Sequence, residues 1–331
     1  MFRKVIWKSI VGTLMFSLLL ASCGAPATTP VSQPTVAPAE LKVALLVNGS
    51  INDGGFNQSG YLGLKAIEKE LGAKISYSEK VSVADAEPAL RSYAEQGYKV
   101  IFAHSFEYGD PVLKVAKDYP NTYFVVWTGI VAQSPNVASI QLLEQETGYV
   151  MGVLAGLMTK TNVVAAIGGS DLPTINADLQ GYKAGAESVN PDVKVIITFA
   201  GVWDDPAKGK EAAFAQIEAG ADVLYHIADK TGLGMIQAAQ EKGVYAIGSA
   251  ADQSTIAPNT VLCSSTEIVD AAYLNMVRAV LNGSFKPEVI KMGLALGAID
   301  IAPISSFVPK DVQDKVIQAK NDIISGKIIV P

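Results

Sequence analysis

A chain of 331 residues, 49% of them hydrophobic and 18% charged, carries ample material for a buried core and more than one compact domain usually takes, so two lobes are expected. Its 32 acidic against 26 basic residues leave a formal charge of -6; beyond the first few residues there is no basic cluster and no nucleic-acid motif, which speaks against a nucleic-acid partner. Cys23, Cys263, His104 and His226 are scattered, which argues against a zinc site, and no metal or other cofactor is expected.

Arg3, Lys4 and Lys8 precede an apolar segment running from Ile10 to Ala21. A basic start, a short apolar core and small residues after it describe a secretory signal rather than a membrane span. The segment closes on Leu20-Ala21-Ser22-Cys23, which resembles the lipobox of bacterial lipoproteins. That resemblance implies a signal peptide over residues 1–22, cleavage before Cys23 and lipid on the cysteine. Residues 23–40, rich in Pro, Ala and Thr, then form a solvated tether. Several acyl chains hold a protein at a membrane surface where one is marginal. With Cys23 consumed, Cys263 has no partner and no disulfide is expected.

The chain next alternates short apolar runs with amphipathic stretches. In the first half, strands are predicted at 41–47, 74–78, 99–104, 123–127 and 137–142, with helices near 56–71, 85–97 and 110–118. In the second half, strands fall at 162–168, 193–200, 222–227, 244–248 and 260–264, with helices near 144–159, 172–189, 206–219 and 231–242. The β-α-β alternation predicts an α/β fold of two lobes, each a parallel sheet flanked by helices. Gln96 to Phe102 and Ala219 to Tyr225 echo one another, each closing a helix with glycine before a buried strand, as a duplicated unit would. A last strand at 292–299 and a helix at 310–324 are expected to return to the first lobe. The first lobe is thus assigned to 41–142 plus 265–331, the second to 143–264, with several crossovers between them.

Leu41 to Gln58 is the most informative stretch. Val43-Ala44-Leu45-Leu46-Val47 is apolar on both faces, as a buried parallel strand requires, and feeds a polar, glycine-rich loop that opens a helix. Such loops, at the carboxyl ends of strands, are where open α/β sheets bind ligands. Asn52, Asp53, Phe56 and Asn57 there offer a carboxylate, amides and an aromatic face, so the loop reads as one wall of a cleft.

Asn52-Asp53-Gly54-Gly55-Phe56-Asn57-Gln58 resembles the D-x-x-F-N motif of the basic membrane protein (BMP) family of lipoproteins, whose best-known members are purine nucleoside receptors. Phe106 to Asp110, Gly152 to Lys160, Asp205 to Lys210, Thr231 to Gly234 and Gly243 to Gly248 extend the likeness in order over nearly the whole of Leu41 to Pro331. The resemblance implies a substrate-binding component of an ABC importer with a two-lobed periplasmic-binding-protein fold of the ribose-binding type. It implies a small purine-type ligand, a permease and an ATPase as partners, and an extracytoplasmic, lipid-anchored and monomeric protein. In that family a purine lies between two aromatic rings, which map onto Phe56 and Trp203. Asp53 and Asp110 map onto polar positions that read the purine edge or hold the loop, and Asp110, before Pro111, equally suits a helix cap. Asn57 either contacts ligand or braces the loop. His226, and less so His104, end strands that point into the predicted crevice.

Two departures bear on the ligand. The receptors carry an Asp that grips the ribose hydroxyls and a Lys further on; the matching positions here are Ala250 and Glu267, while Asp252 is retained. Loss of both sugar contacts favours a free nucleobase or similar flat heterocycle, with a purine nucleoside as the alternative. Asp252 either touches ligand or caps a turn. An enzyme would recruit Asp53, Asp110 or Asp252 as acid or base. The chain lacks a nucleophile partnered by histidine, a metal-ligand cluster and a phosphate loop, so no catalytic residue is assigned. A ligand-sensing surface lipoprotein without a transporter remains the other non-enzymatic reading.

Overall fold

The computed structural model describes residues 40–331, so the signal segment, Cys23 and the tether lie outside the described residues. Two six-stranded sheets organise it. In chain order the first half supplies β1 (Lys42–Val47), α1 (Phe56–Leu71), β2 (Lys74–Ser78), α2 (Val83–Glu95), β3 (Val100–His104), α3 (Gly109–Ala116), β4 (Tyr123–Trp127) and β5 (Val137–Leu142). Then follow α4 (Glu144–Met158), β6 (Val163–Gly168), α5 (Pro173–Val189), β7 (Lys194–Phe199), α6 (Pro206–Glu218), β8 (Val223–Ile227), α7 (Asp229–Lys242), β9 (Tyr245–Gly248) and β10 (Val261–Glu267). The chain ends with α8 (Val269–Leu281), β11 (Val289–Met292), β12 (Ile299–Ile301) and α9 (Lys310–Ile324).

The first sheet runs β11-β5-β4-β3-β1-β2 and is parallel throughout. The second runs β12-β10-β9-β8-β6-β7, parallel except for β12, which is antiparallel to β10. Position for position the two orders match, so the echo between Gly97 and Gly220 reflects a shared topology. Each of these glycines adopts positive φ (77° and 101°) and turns the chain from a helix into a central strand. Val43 to Val47 and Val100 to His104 are fully buried on both faces, as strands covered by helices on two sides must be.

Local chemistry sets the element ends. The Ser82 side chain accepts from the Asp85 N–H at the start of α2, and Asp205 accepts from Lys208 N–H ahead of Pro206 at the start of α6. Helices α4 and α5 approach closely because glycines face each other between them: a Cβ on Gly152 would stand 1.9 Å from the Tyr182 carbonyl oxygen. No described helix is long and apolar enough to cross a membrane.

The C-terminal assignment needs correction. The run expected as one strand at 292–299 is broken by Gly293 and by Gly297 at φ 67°, and its two halves join different sheets. Strand β11 pairs with β5 in the first lobe, but β12 pairs with β10, and α9 packs on α4 in the second. Helix α8, for which no separate prediction was made, packs on α1 of the first lobe. The chain therefore passes between lobes three times, around Leu143, around Ile268 and through 293–298. These passages are bonded to their neighbours: Leu143 N–H donates to Met292 O at 2.9 Å, and Ile268 N–H to Ala298 O at 2.8 Å.

Candidate functional site

The loop after β1 is built around one carboxylate. Asp53, 1% exposed, accepts from the N–H groups of Gly55 (2.9 Å), Asn57 (2.9 Å) and Gln58 (3.0 Å), and from Asn57 Nδ2 (2.8 Å). It thereby satisfies the donors that the start of α1 leaves free. The Asn57 amide completes the frame: Oδ1 accepts from Gly49 N–H at 2.9 Å, and Nδ2 also donates to Asp229 Oδ2 of the second lobe at 3.3 Å. Asp53 and Asn57 thus shape the loop from behind, and neither lines the cleft.

What they present is Phe56, at the first position of α1. His104 holds it from below: Nε2–H donates to the Phe56 carbonyl at 2.9 Å, while Nδ1 accepts from the Tyr273 hydroxyl at 2.6 Å. The imidazole and phenyl centroids are 4.2 Å apart. Complete burial pushes the His104 pKa down to about 3, so the ring is neutral and acts as a brace.

Trp203 occupies the loop between β7 and α6. Its carbonyl accepts from Thr231 N–H at 3.1 Å, and Thr231 Oγ1 donates to Val202 O at 3.0 Å. The indole lies flat on Gly169, where a Cβ would fall 2.2 Å from the ring; only glycine leaves that space.

Phe56 from the first lobe and Trp203 from the second line one cavity, about 470 Å³ of empty volume that is partly open to solvent. Asn48, Ser105 and Thr128 add polar groups from the first lobe, and Ile175 and Ile227 add apolar surface from the second. Glu144, Asp229 and Glu267 also reach it, and among the described residues no Lys, Arg or His does. Thr128, Asp229 and Ala250, all on this wall, have φ of 56°, 46° and 65°. Left-handed backbone at non-glycine residues costs free energy and tends to persist where function requires it. Several bonds span the lobes beside the cavity: Asn57 to Asp229, Gln253 Nε2 to Gly54 O (3.3 Å), Trp127 Nε1 to Glu267 Oε2 (2.7 Å) and Lys80 to Asp204 (3.7 Å).

A cleft of this construction agrees with the comparisons. The family model described as "Bmp: ABC transporter substrate-binding protein PnrA-like" matches residues 40–331. The chain belongs to the Bmp family. It is 32% identical over 292 residues to a purine-binding protein of Brucella abortus, covering 87% of this chain and 82% of that one. It is also 32% identical over 315 residues to the ABC transporter nucleoside-binding protein BmpA of Lactococcus lactis, covering 88% and 89%. Among solved structures, an ABC transporter solute-binding protein from Aeropyrum pernix superposes with a TM-score of 0.80 at 25% identity, covering 88% of this chain and 94% of that one. The two-lobed fold predicted from the alternation is the fold of these substrate-binding proteins.

Within this Bmp-family cleft, the remaining sequence-predicted residues lie away from the cavity lining. Asp110 is exposed in the first turn of α3 and makes no side-chain cap; its charge simply suits a helix N-terminus. Asp252 is exposed and accepts from Ser254 N–H at 2.9 Å, closing a turn. His226 is fully buried against Gly232, with its pKa pushed down to about 4 by burial, and its Nε2–H donates to Gln253 Oε1 at 2.8 Å. It positions the glutamine that reaches across to Gly54.

Three acids gain importance instead. Asp229 starts α7 directly after β8, the same strand-to-helix junction that singled out the 48–57 loop, and this was the signal available in the sequence. Burial, with Asp53 and Glu267 nearby, holds its carboxyl well above the ordinary range. Glu144, at the start of α4, is pushed up to about 8 by burial and by Asp178. Glu267, which terminates β10, is pushed up to about 8 by burial and by Glu144, against the opposing Trp127 bond.

Proposed function

We propose that this protein captures a purine-type ligand, a free nucleobase in preference to a nucleoside, between Phe56 and Trp203 and delivers it to an ABC permease. Cys23 would carry the lipid that keeps it at the outer face of the membrane. The observation that carries this reading is the pair of aromatic side chains, one from each lobe, on a single cavity. A purine has two π-faces, and base–aromatic stacking is worth about 1–3 kcal/mol per base. Contacts that need both lobes are also what couples ligand to closure, since a ligand shifts a conformational equilibrium only by its differential affinity for the two states.

The preference for the base rests on two other residues of the cleft lining, Ala250 and Glu267, at the positions where the resemblance places a sugar-gripping Asp and a Lys. A free base offers a ring N–H where a nucleoside carries its sugar, and carboxylates accept such donors. Asp53, Asn57 and His104 serve this reading by holding Phe56 in place, and Gln253, set by His226, by tying the lobes. Purine nucleosides keep a specific point in their favour, a small recess next to Glu267 lined by the hydroxyl residues Thr147, Ser265 and Thr266. A thermal-shift series of adenine, guanine, hypoxanthine and xanthine against their ribosides separates the two, because stabilisation follows ligand concentration over Kd. Larger shifts for the bases support the proposal, and the reverse order replaces it with nucleoside capture.

A further inference from the structure

The recess beyond the aromatic pair has no role in the stacking of a flat ring. It shares Glu144, Ala250 and Glu267 with the main cavity and adds Thr147, Asp178 and Ser265. Three acidic residues from three elements, α4, α5 and β10, therefore line one space, and among the described residues no basic side chain does. Asp178 is 4% exposed; its Oδ2 accepts from the Tyr225 hydroxyl at 3.2 Å, and its Oδ1 has no partner. Oε2 of Glu144 is likewise buried without a partner. The Tyr225 hydroxyl is shared with Ser265 Oγ at 3.1 Å. Buried polar atoms of native proteins are ordinarily satisfied, and a buried carboxylate without a partner is expensive. Among the described residues no grouping of three such side chains is tight enough to hold a metal ion.

We infer that this recess receives a protonated amine borne by the ligand, with the Glu144, Asp178 and Glu267 carboxylates as its acceptors. The inference rests on the purine reading and replaces the free-base preference within it: the substrate taken is a flat heterocycle whose amino-bearing arm stands where the free base carries its ring N–H. An ammonium group has three donors and no acceptor, which suits a recess lined by three acidic residues and, among the described residues, by no cationic side chain. In the empty cleft the same crowding holds these carboxyls protonated, as the values near 8 for Glu144 and Glu267 indicate, and an arriving cation favours their ionised form. The titratable groups facing the recess and its mouth are Glu144, Asp178, Tyr225, Asp229 and Glu267.

The test uses three probes on the purified protein by calorimetry: adenine, adenine with an aminoethyl arm on the nitrogen that bears the sugar in nucleosides, and the matching hydroxyethyl compound. The amine should bind at least about tenfold more tightly than the alcohol near neutral pH. That ratio should grow as pH rises from about 6 to about 8, because the carboxylates ionise while the amine stays charged. In Glu144→Gln and in Asp178→Asn the ratio should fall towards one. An alcohol that binds as well as the amine, or a ratio that shrinks with rising pH, overturns the inference while adenine binding leaves the purine reading standing. If none of the three binds, the purine reading falls and the inference goes with it.

Discussion

Two strand-to-helix junctions, one in each lobe, place an aspartate beside the cleft and use it in opposite ways. At the junction after β1, Asp53 collects four N–H donors and never reaches the cavity. At the junction after β8, Asp229 sits at φ 46°, takes one amide N–H from Asn57 and lines the cavity. Both are acids at the first turn of a helix or just before it, Asp53 buried and Asp229 half-buried. The difference lies in how many local donors the backbone offers. A loop that folds its own N–H groups onto a carboxylate makes it structural, and one that offers few donors leaves the carboxyl under-satisfied on the cavity wall.

The sharpest way to break this contrast is Asp53→Ala. It strands several buried donors at once and should cost about 3 kcal/mol or more of stability in urea unfolding, with ligand binding lost as well. A loss below about 1 kcal/mol would remove Asp53 from its place at the centre of the loop. Next in size, Trp203→Ala should lower purine affinity by about 1–3 kcal/mol in calorimetry, with Trp203→Phe retaining most of the binding. Unchanged affinity in the alanine variant would place the second wall elsewhere.

The acid-lined side also makes unliganded stability depend on pH. Glu144 and Glu267 have folded-state values raised to about 8, so their contribution is complete below the ordinary carboxylate range and is lost as pH rises towards that value. His104 and His226 have lowered values, about 3 and about 4, and contribute fully above the ordinary histidine value. Between pH of about 8 and about 6.5 only the carboxyls matter, and unfolding free energy should rise by about 2 kcal/mol as pH falls. A flat or falling profile over that window would mean that the carboxyls are compensated. The smallest effect is expected of Asp229→Asn, which removes an acid that folding obliges to take up a proton, in a backbone conformation that asparagine tolerates. Unliganded stability should increase by about 1 kcal/mol, opposite in sign to any change at Asp53.

The alternation of apolar runs and amphipathic stretches made the sheets readable in advance, because parallel strands buried on both faces leave little ambiguity. Phe56 and Trp203 stood out as aromatics in polar loops after strands, and both do line the cavity. Side-chain direction was not readable in the same way. Asp53 and Asn57 turn inward because the loop donors close on them, and Asp110 and Asp252 turn to solvent; neither outcome follows from residue type. Asp229 and Glu144 escaped notice because an acid in the first turn of a helix is ordinary dipole complement. The fate of 292–299 depended on two glycines that let the chain change sheets, a tertiary choice that a run of apolar residues does not reveal.

The three passages between lobes have a mechanical consequence. Leu143 is tied to Met292 and Ile268 to Ala298, so the passages form a short laced strap instead of three independent threads. A strap of that kind bends readily about the one line lying across it and resists shear and torsion. Opening would then trace a single reproducible arc, and a permease would meet the same pair of rims each time the jaws came together.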